Sequence, residues 1–276
     1  MIPGNDNYLT TSLLLFLDNQ IQQQGVAFTN QSSLFYPAQQ EVAGTYTYTA
    51  PFVQMCNDTS VSGANIISGV YLNNTWVGVG TSGLISINHY LGAVNFSQPI
   101  PNGVQISGNF AVKDINLYLS DTVDYKVILN QKFAVNPKYG QIVTGIEEDC
   151  KVMPAIFLVP KSQEAVGFSF AGVDDLRLKM RGMIVTENVY QRVAVGSILR
   201  NLRLKSLPYI AATPFSYDGS YTGTPYSYYN LPINPTYSPV IMKAVVTEIP
   251  EIGTYKPLTA QFSMVDFLIS SWGSHN

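Results

Sequence analysis

The sequence predicts an α+β protein that is mainly β: a sheet core with two helices plus an inserted antiparallel β-sandwich module. Two segments place apolar residues at helical spacing, near the N-terminus and around residue 195. Between residues 66 and 119, short β-type runs alternate with turn residues at close, regular spacing. The expected division is an α+β core of residues 1–50 and 125–276, with the β-sandwich module at 51–124.

The first helix is predicted over Tyr8–Gln24. Its apolar residues recur at helical spacing, and Gly25 is a typical residue just beyond a helix C-terminus. Because the last turn is rich in Gln, we expect a solvated end and one apolar face lying over a sheet. The residues of that face are Leu9, Leu13, Phe16, Leu17 and Ile21.

A dense series of short strands follows a Thr/Tyr alternation at residues 44–50. Gly, Asn and Pro turns separate these strands, which is typical of an antiparallel sandwich or barrel. The predicted strands are Ile66–Leu72, Trp76–Val79, Gly83–Asn88, Ala93–Phe96, Val104–Val112 and Ile115–Leu119.

The C-terminal half predicts further strands and the second helix. The apolar run Met153–Val159 indicates a strand buried on both faces, and Leu176–Thr186 alternates apolar with basic residues. The second helix is predicted over Asn188–Lys205, capped by Thr186 or Asn188. Its apolar face is expected to comprise Val189, Val193, Ile198 and Leu202.

Composition narrows the function classes. Charged residues make up only 12% of the 276, about half the ~25% usual in soluble domains, and 18 residues are Tyr. Such a surface suits large polar protein contacts, and it suits polysaccharide stacking nearly as well. A net charge of −3 gives no electrostatic footprint for nucleic acid, and neither a secretion signal nor a membrane span is predicted.

No pattern of reactive residues predicts an enzyme, a cofactor site or a metal site. The two histidines are His89, expected to be a surface turn residue, and His275. The acidic run at 147–149 is expected to form a solvated turn rather than a calcium site. Cys56 and Cys150 are interpreted as two unrelated thiols, although a disulfide between them is possible.

Part of the strand-dense segment resembles the small β-sandwich modules of tailed-phage virion proteins. The stretch most like them is Gly92-Ala-Val-Asn-Phe-Ser-Gln-Pro with Gly103-Val-Gln-Ile-Ser-Gly. In the order of its helices and strands, the surrounding core is similar to phage tail-terminator and neck proteins. That resemblance implies a ring between the portal vertex and the tail, and it supplies no site residues.

The leading hypothesis is therefore a non-enzymatic virion protein of the head–tail neck, a connector or terminator assembled in the host cytoplasm. Its expected partners are copies of itself in a ring and the neighbouring virion proteins on the portal and tail sides. The alternative is a carbohydrate- or receptor-binding virion protein, with Trp76, Tyr71 and Tyr90 stacking on sugar rings. A cell-wall hydrolase is a distant third. The irregular segment 214–239 supplies the candidate protein contacts, or else packs on its own domain: Tyr217, Tyr221, Tyr226, Tyr228 and Tyr229.

Overall fold

The protein is mainly β, with two α-helices and largely antiparallel sheets, which confirms the predicted fold class. The computed structural model describes residues 5–38, 44–120, 126, 131–137, 146, 149–167, 174–210, 225–235, 237–249 and 260–273. About half of these residues lie in strands. No helix in these ranges is long and apolar enough to cross a membrane.

Seven antiparallel strands form a nearly closed, barrel-like sheet in the order β4-β3-β7-β1-β2-β6-β5. Its interior is apolar and includes the fully buried rings of Phe96 and Phe110. The strands are β1 (Phe28–Pro37), β2 (Tyr46–Thr49), β3 (Gly69–Leu72), β4 (Thr75–Gly78), β5 (Leu84–Asn88), β6 (Ala93–Phe96) and β7 (Ile106–Lys113).

The strand pairs show which residues belong to each sheet. β1 pairs with β7 from Phe28↔Lys113 to Phe35↔Ile106, so the strands of the barrel-like sheet come from residues 28–113. The predicted division at residues 51–124 stays a prediction. The next strand, β8 (Asn116–Leu119), joins the other sheet by pairing with residues 155–158.

A second sheet of five strands forms the other part of the molecule, in the order β13-β14-β12-β11-β8. All its pairs are antiparallel except β8 with β11. Its long strands are β11 (Ala155–Gly167), β12 (Asp174–Thr186), β13 (Tyr237–Glu248) and β14 (Gln261–Gly273). A separate parallel pair consists of β9 (Lys132–Val135) and β10 (Cys150–Met153).

Helix α1 (Asn5–Gly25) has the predicted position, but it is buried far beyond one apolar face. Its leucines pack against the five-stranded sheet, while Ser12, Asn19 and Gln22 on other faces are also fully buried. The expectation of a solvated Gln-rich end is wrong, because the amides make internal bonds. Gln23 accepts from the Ser62 N–H and donates to the Ser60 carbonyl, which ties the helix to the barrel-like sheet.

Helix α2 (Val189–Arg200) is capped by Asn188, whose side chain accepts a hydrogen bond from the Gln191 N–H at 2.9 Å. This confirms one of the two predicted caps. The buried residues of the helix are Val195, Gly196 and Leu199. Val189 and Val193, predicted to lie on the apolar face, are 51% and 55% exposed.

Polar contacts join the two parts of the molecule around α1. The Lys113 ammonium at the end of β7 lies 2.8 Å from the Asp18 carboxylate on α1, and both side chains are nearly buried. A further contact does not involve α1: the Lys151 Nζ donates to the Tyr90 hydroxyl at 2.9 Å and lies 5.2 Å from the centre of the Tyr118 ring. The helix therefore packs its apolar side on the five-stranded sheet and makes polar contacts with residue Lys113 of the barrel-like sheet.

Candidate assembly surface

The described part of the chain contains no group of three or more His, Cys, Asp or Glu residues placed to hold a metal ion. His89 lies in a turn after β5, as predicted, but it is 1% exposed rather than on the surface. Its Nε2 lies 3.1 Å from the Ile67 carbonyl oxygen. The ring is thus a satisfied core group, and its burial corrects the expectation of a surface residue.

The acidic run and the cysteines also have ordinary surroundings. Asp149 is exposed, and its carboxylate lies 2.7 Å from the Lys132 ammonium; residues 147 and 148 fall outside the described residues. Cys56 is buried and Cys150 half-buried, and both are thiols rather than a disulfide.

The five candidate contact tyrosines have different environments. Tyr217 and Tyr221 fall outside the described residues. Tyr226 bonds through its backbone to the segment between β2 and β3: its N–H donates to the Asn57 carbonyl, and its own carbonyl accepts from the Thr59 N–H. Its hydroxyl lies 3.4 Å from the Asp18 carboxylate. This ring is used inside the chain.

Tyr228 is an internal anchor, and Tyr229 an external residue. Tyr228 is 7% exposed and packs in the core that surrounds α1. Burial raises the pKa of the Tyr228 hydroxyl, and the neighbouring Tyr229 and Asp58 add to this effect, so the hydroxyl stays neutral. The ring centre of Tyr229 lies 5.6 Å from that of Tyr228, and Tyr229 is 62% exposed. Tyr229 therefore stays a candidate for a contact with another protein.

The most exposed apolar turn lies on α2. Val189, Tyr190 and Val193 are 51%, 85% and 55% exposed, and they share one turn of the helix. We call these three residues the α2 outer surface. Scattered single apolar residues are normal on a surface, but a clustered set facing solvent is typical of an interaction site.

Strand β13 forms the edge of the five-stranded sheet beside this surface. Its first half is covered, because Leu204 donates to the Ile241 carbonyl and Leu207 to the Pro239 carbonyl. A bulge at Met242 separates that half from residues 243–248. Among the described residues, no strand pairs with the outer edge of residues 243–248. Val245 on this second half is 40% exposed. The open half of an edge strand presents unpaired backbone groups to a partner.

A salt bridge holds the α2 outer surface and the β13 edge together. The Arg192 guanidinium, in the same turn as Val189 and Val193, lies 3.1 Å from the Glu248 carboxylate at the end of β13. Arg192 is 13% exposed, so its stem is packed, whereas Glu248 is 69% exposed. Nearby, the Val246 side chain fills the space over Gly196, where an added Cβ would lie 3.2 Å from it. Helix α2 and the second half of β13 are therefore in direct contact.

The sequence did not predict this exposed surface, because helical spacing identifies the apolar stripes of a helix but not which stripe faces the sheet. Helix α2 carries two of them, and the one with Val195 and Leu199 is buried. The available signal was Gly196, whose small size permits close approach to a sheet. No protein-family model matches the chain, and no curated protein is significantly similar to it.

Proposed function

We propose that this chain is a structural subunit of a tailed-phage particle that assembles into a ring at the head–tail neck. The observation that carries the proposal is the exposure of the α2 outer surface together with exposed residues of the β13 edge, two elements that the Arg192–Glu248 salt bridge links. Burial against another protein would stabilise both features. It would remove the apolar area of the α2 outer surface from water, and it would pair the free backbone groups of β13.

A second copy of the chain is the proposed occupant of this surface. Rings form when a patch on one subunit contacts a different patch on the next and the rotation closes. The α2 outer surface and the edge of β13 form such a patch, and the exposed ring of Tyr229 is a candidate for the complementary one. With 12% charged residues, the surface imposes little desolvation cost on such contacts.

The position in the neck is supported by the order of elements. An N-terminal helix, a series of long strands and a later helix lie in that order along the chain, and both helices pack on one five-stranded sheet. This order is similar to that of phage tail-terminator and neck proteins. We place the ring between portal-side and tail-side virion proteins, and we assign it no catalytic role.

Substitution of the α2 outer surface tests this proposal. The double variant Tyr190→Ser/Val193→Ser removes two exposed apolar side chains, so its folding stability is expected to change by less than ~0.5 kcal/mol per site. Self-association measured by sedimentation velocity should weaken at least about tenfold, because a buried aromatic anchor contributes roughly 2 kcal/mol.

The matched control is Tyr36→Ser on β1, which removes a tyrosine of 54% exposure from the barrel-like sheet. It should associate as the wild type does. Equal association of the double variant, the control and the wild type would remove the α2 outer surface from the proposal. A wild-type protein that does not self-associate would contradict the ring itself.

A further inference from the structure

An open depression of about 340 Å³ lies on the barrel-like sheet, away from the α2 outer surface and β13. It is lined by residues of the 64–68 segment, the β3–β4 hairpin and β7, and none of the described residues that line it carries a charge. Its volume falls within the ~300–1,000 Å³ range of small-molecule sites. The side chains used below are Asn65, Ser68, Tyr71, Trp76 and Asn109.

The indole of Trp76 forms a fixed and half-exposed platform in this depression. Trp76 is 50% exposed and pairs across the hairpin with Tyr71, whose ring stands edge-on with its centre 5.1 Å away. The indole lies over Gly69, where an added Cβ would come within 2.6 Å of its Cζ2 atom. Gly69 thus makes room for the ring beside the strand, and Tyr71 supports it from one side.

Uncharged polar groups surround the platform. Asn65, Ser68 and Asn109 are exposed at the rim. The Asn109 Oδ1 accepts a hydrogen bond from the Ser32 hydroxyl at 2.6 Å, which orients the amide and leaves its NH₂ as donor. The side chains of Asn65 and Ser68 form no hydrogen bond with any described residue, so they can bond a ligand.

A neutral sugar ring matches this arrangement. One face of a pyranose presents C–H groups that pack on an aromatic ring, while its rim of hydroxyls donates to and accepts from amides and hydroxyls. A phosphate, carboxylate or ammonium group would find no opposite charge among the described lining residues. A protein partner would need about 800 Å² of contact around the depression.

We propose that the Trp76 depression binds a neutral hexose unit of a glycan, so that the proposed structural subunit also contacts a polysaccharide. The residues of this site differ from those of the assembly surface. An experiment can therefore contradict the glycan site without contradicting the ring, and the reverse. Tyr90, a third candidate for sugar stacking on sequence grounds, packs instead on Tyr118 with ring centres 6.4 Å apart. It is not part of the site.

The test uses a glycan array of neutral and acidic oligosaccharides, followed by calorimetry with the strongest neutral binder. Binding to neutral oligosaccharides is expected, and Trp76→Ala should weaken it at least about tenfold through loss of the stacking surface. Tyr36→Ala removes an exposed ring elsewhere on the barrel-like sheet and should leave binding unchanged.

Circular dichroism melts of each variant identify any that fail to fold, and in the Trp272→Phe background the fluorescence of Trp76 alone reports on the site. Three outcomes would overturn the proposal: no neutral glycan bound, binding indifferent to Trp76→Ala, or acidic glycans preferred. If Trp76→Ala instead abolishes self-association while no glycan binds, the depression is a protein contact.

Discussion

Asp58 has no solvent exposure, yet its carboxylate accepts four hydrogen bonds. The donors come from three parts of the chain: the Asn19 amide on α1, the N–H and hydroxyl of Ser60, and the Tyr228 N–H. Their lengths lie between 2.7 and 3.0 Å. Asp58 therefore links α1, the segment around Ser60 and the segment around Tyr228. Removing its carboxylate would leave these buried donors without an acceptor, which costs folding free energy.

Replacing this acceptor should destabilise the fold strongly. Asp58→Ala leaves several donors without an acceptor, and we expect it to lower the free energy of unfolding by about 3 kcal/mol. Urea unfolding followed by circular dichroism measures the loss. Glu164→Gln is the matched control, since Glu164 is 46% exposed and 3.8 Å from Lys179, and it should cost under ~0.5 kcal/mol. Equal losses in the two variants would contradict this role of Asp58.

The two cysteines should differ in reactivity. Burial raises the pKa of the Cys56 thiol to about 12, although the nearby Lys113 charge acts in the opposite direction. Thiolate is the reactive form, so native Cys56 should be inert to a thiol reagent at about pH 8, whereas half-buried Cys150 should react.

Colorimetric thiol titration checks this difference. One thiol should react in the native protein and two after unfolding in guanidinium chloride. Cys150→Ser should abolish the native reaction. Rapid reaction of both thiols in the native wild type would show that Cys56 is accessible.

At the scale of elements, α1 shows how a helix can be buried on both an apolar and a polar side. Its leucines enter the core of the five-stranded sheet, and Asp18 on another face meets Lys113 of β7. The side chains of this pair are 7% and 10% exposed. A nearly buried ion pair is costly to break by removing one partner, because the other charge stays buried.

A double-mutant cycle tests that pair. Lys113→Met leaves the Asp18 carboxylate without its cation, and we expect a loss of about 3–5 kcal/mol in the free energy of unfolding. Asp18→Leu/Lys113→Met removes both charges and should be more stable than Lys113→Met alone. Urea unfolding of the two single variants, the double variant and the wild type gives the coupling energy. Additive losses would show that the pair is not coupled.

Local pattern predicted many elements, because their signals lie within a few residues. The strand Ala93–Phe96 is observed with the predicted bounds, and the apolar run 153–159 is buried as expected except at Pro154. Helix α1 was predicted within a few residues, since Gly25 marks its end. What covers each face depends on contacts distant in sequence. For that reason the burial of His89 beside Ile67 and the exposure of Val193 were not predictable.

The candidate site was the least predictable part for the same reason. Tyr-rich composition drew attention to Tyr228, but the Asp58 acceptor and the core around α1 place that residue inside the chain. The α2 outer surface depends on which stripe of the helix faces the sheet, and the sequence of α2 alone does not determine that. Trp76, by contrast, was predicted as a candidate for stacking on sugar rings, because it is an aromatic residue in the strand-dense segment. It is exposed and lies beside Tyr71.

At the scale of the whole molecule, two sheets share α1 and leave two separate exposed surfaces. The α2 outer surface with the open half of β13 lies on the five-stranded sheet, and the Trp76 depression lies on the barrel-like sheet. This separation allows one surface to bind copies of the chain while the other contacts a different ligand. Variants of one surface should therefore leave the function of the other intact.

The most direct test of the account is mass photometry with negative-stain imaging of the purified wild-type protein over a concentration series. We predict that the 30.3 kDa species gives way to one species of fixed copy number, visible as closed rings. A particle that remains at 30.3 kDa at every concentration, or that grows into aggregates of many sizes, would contradict the central claim.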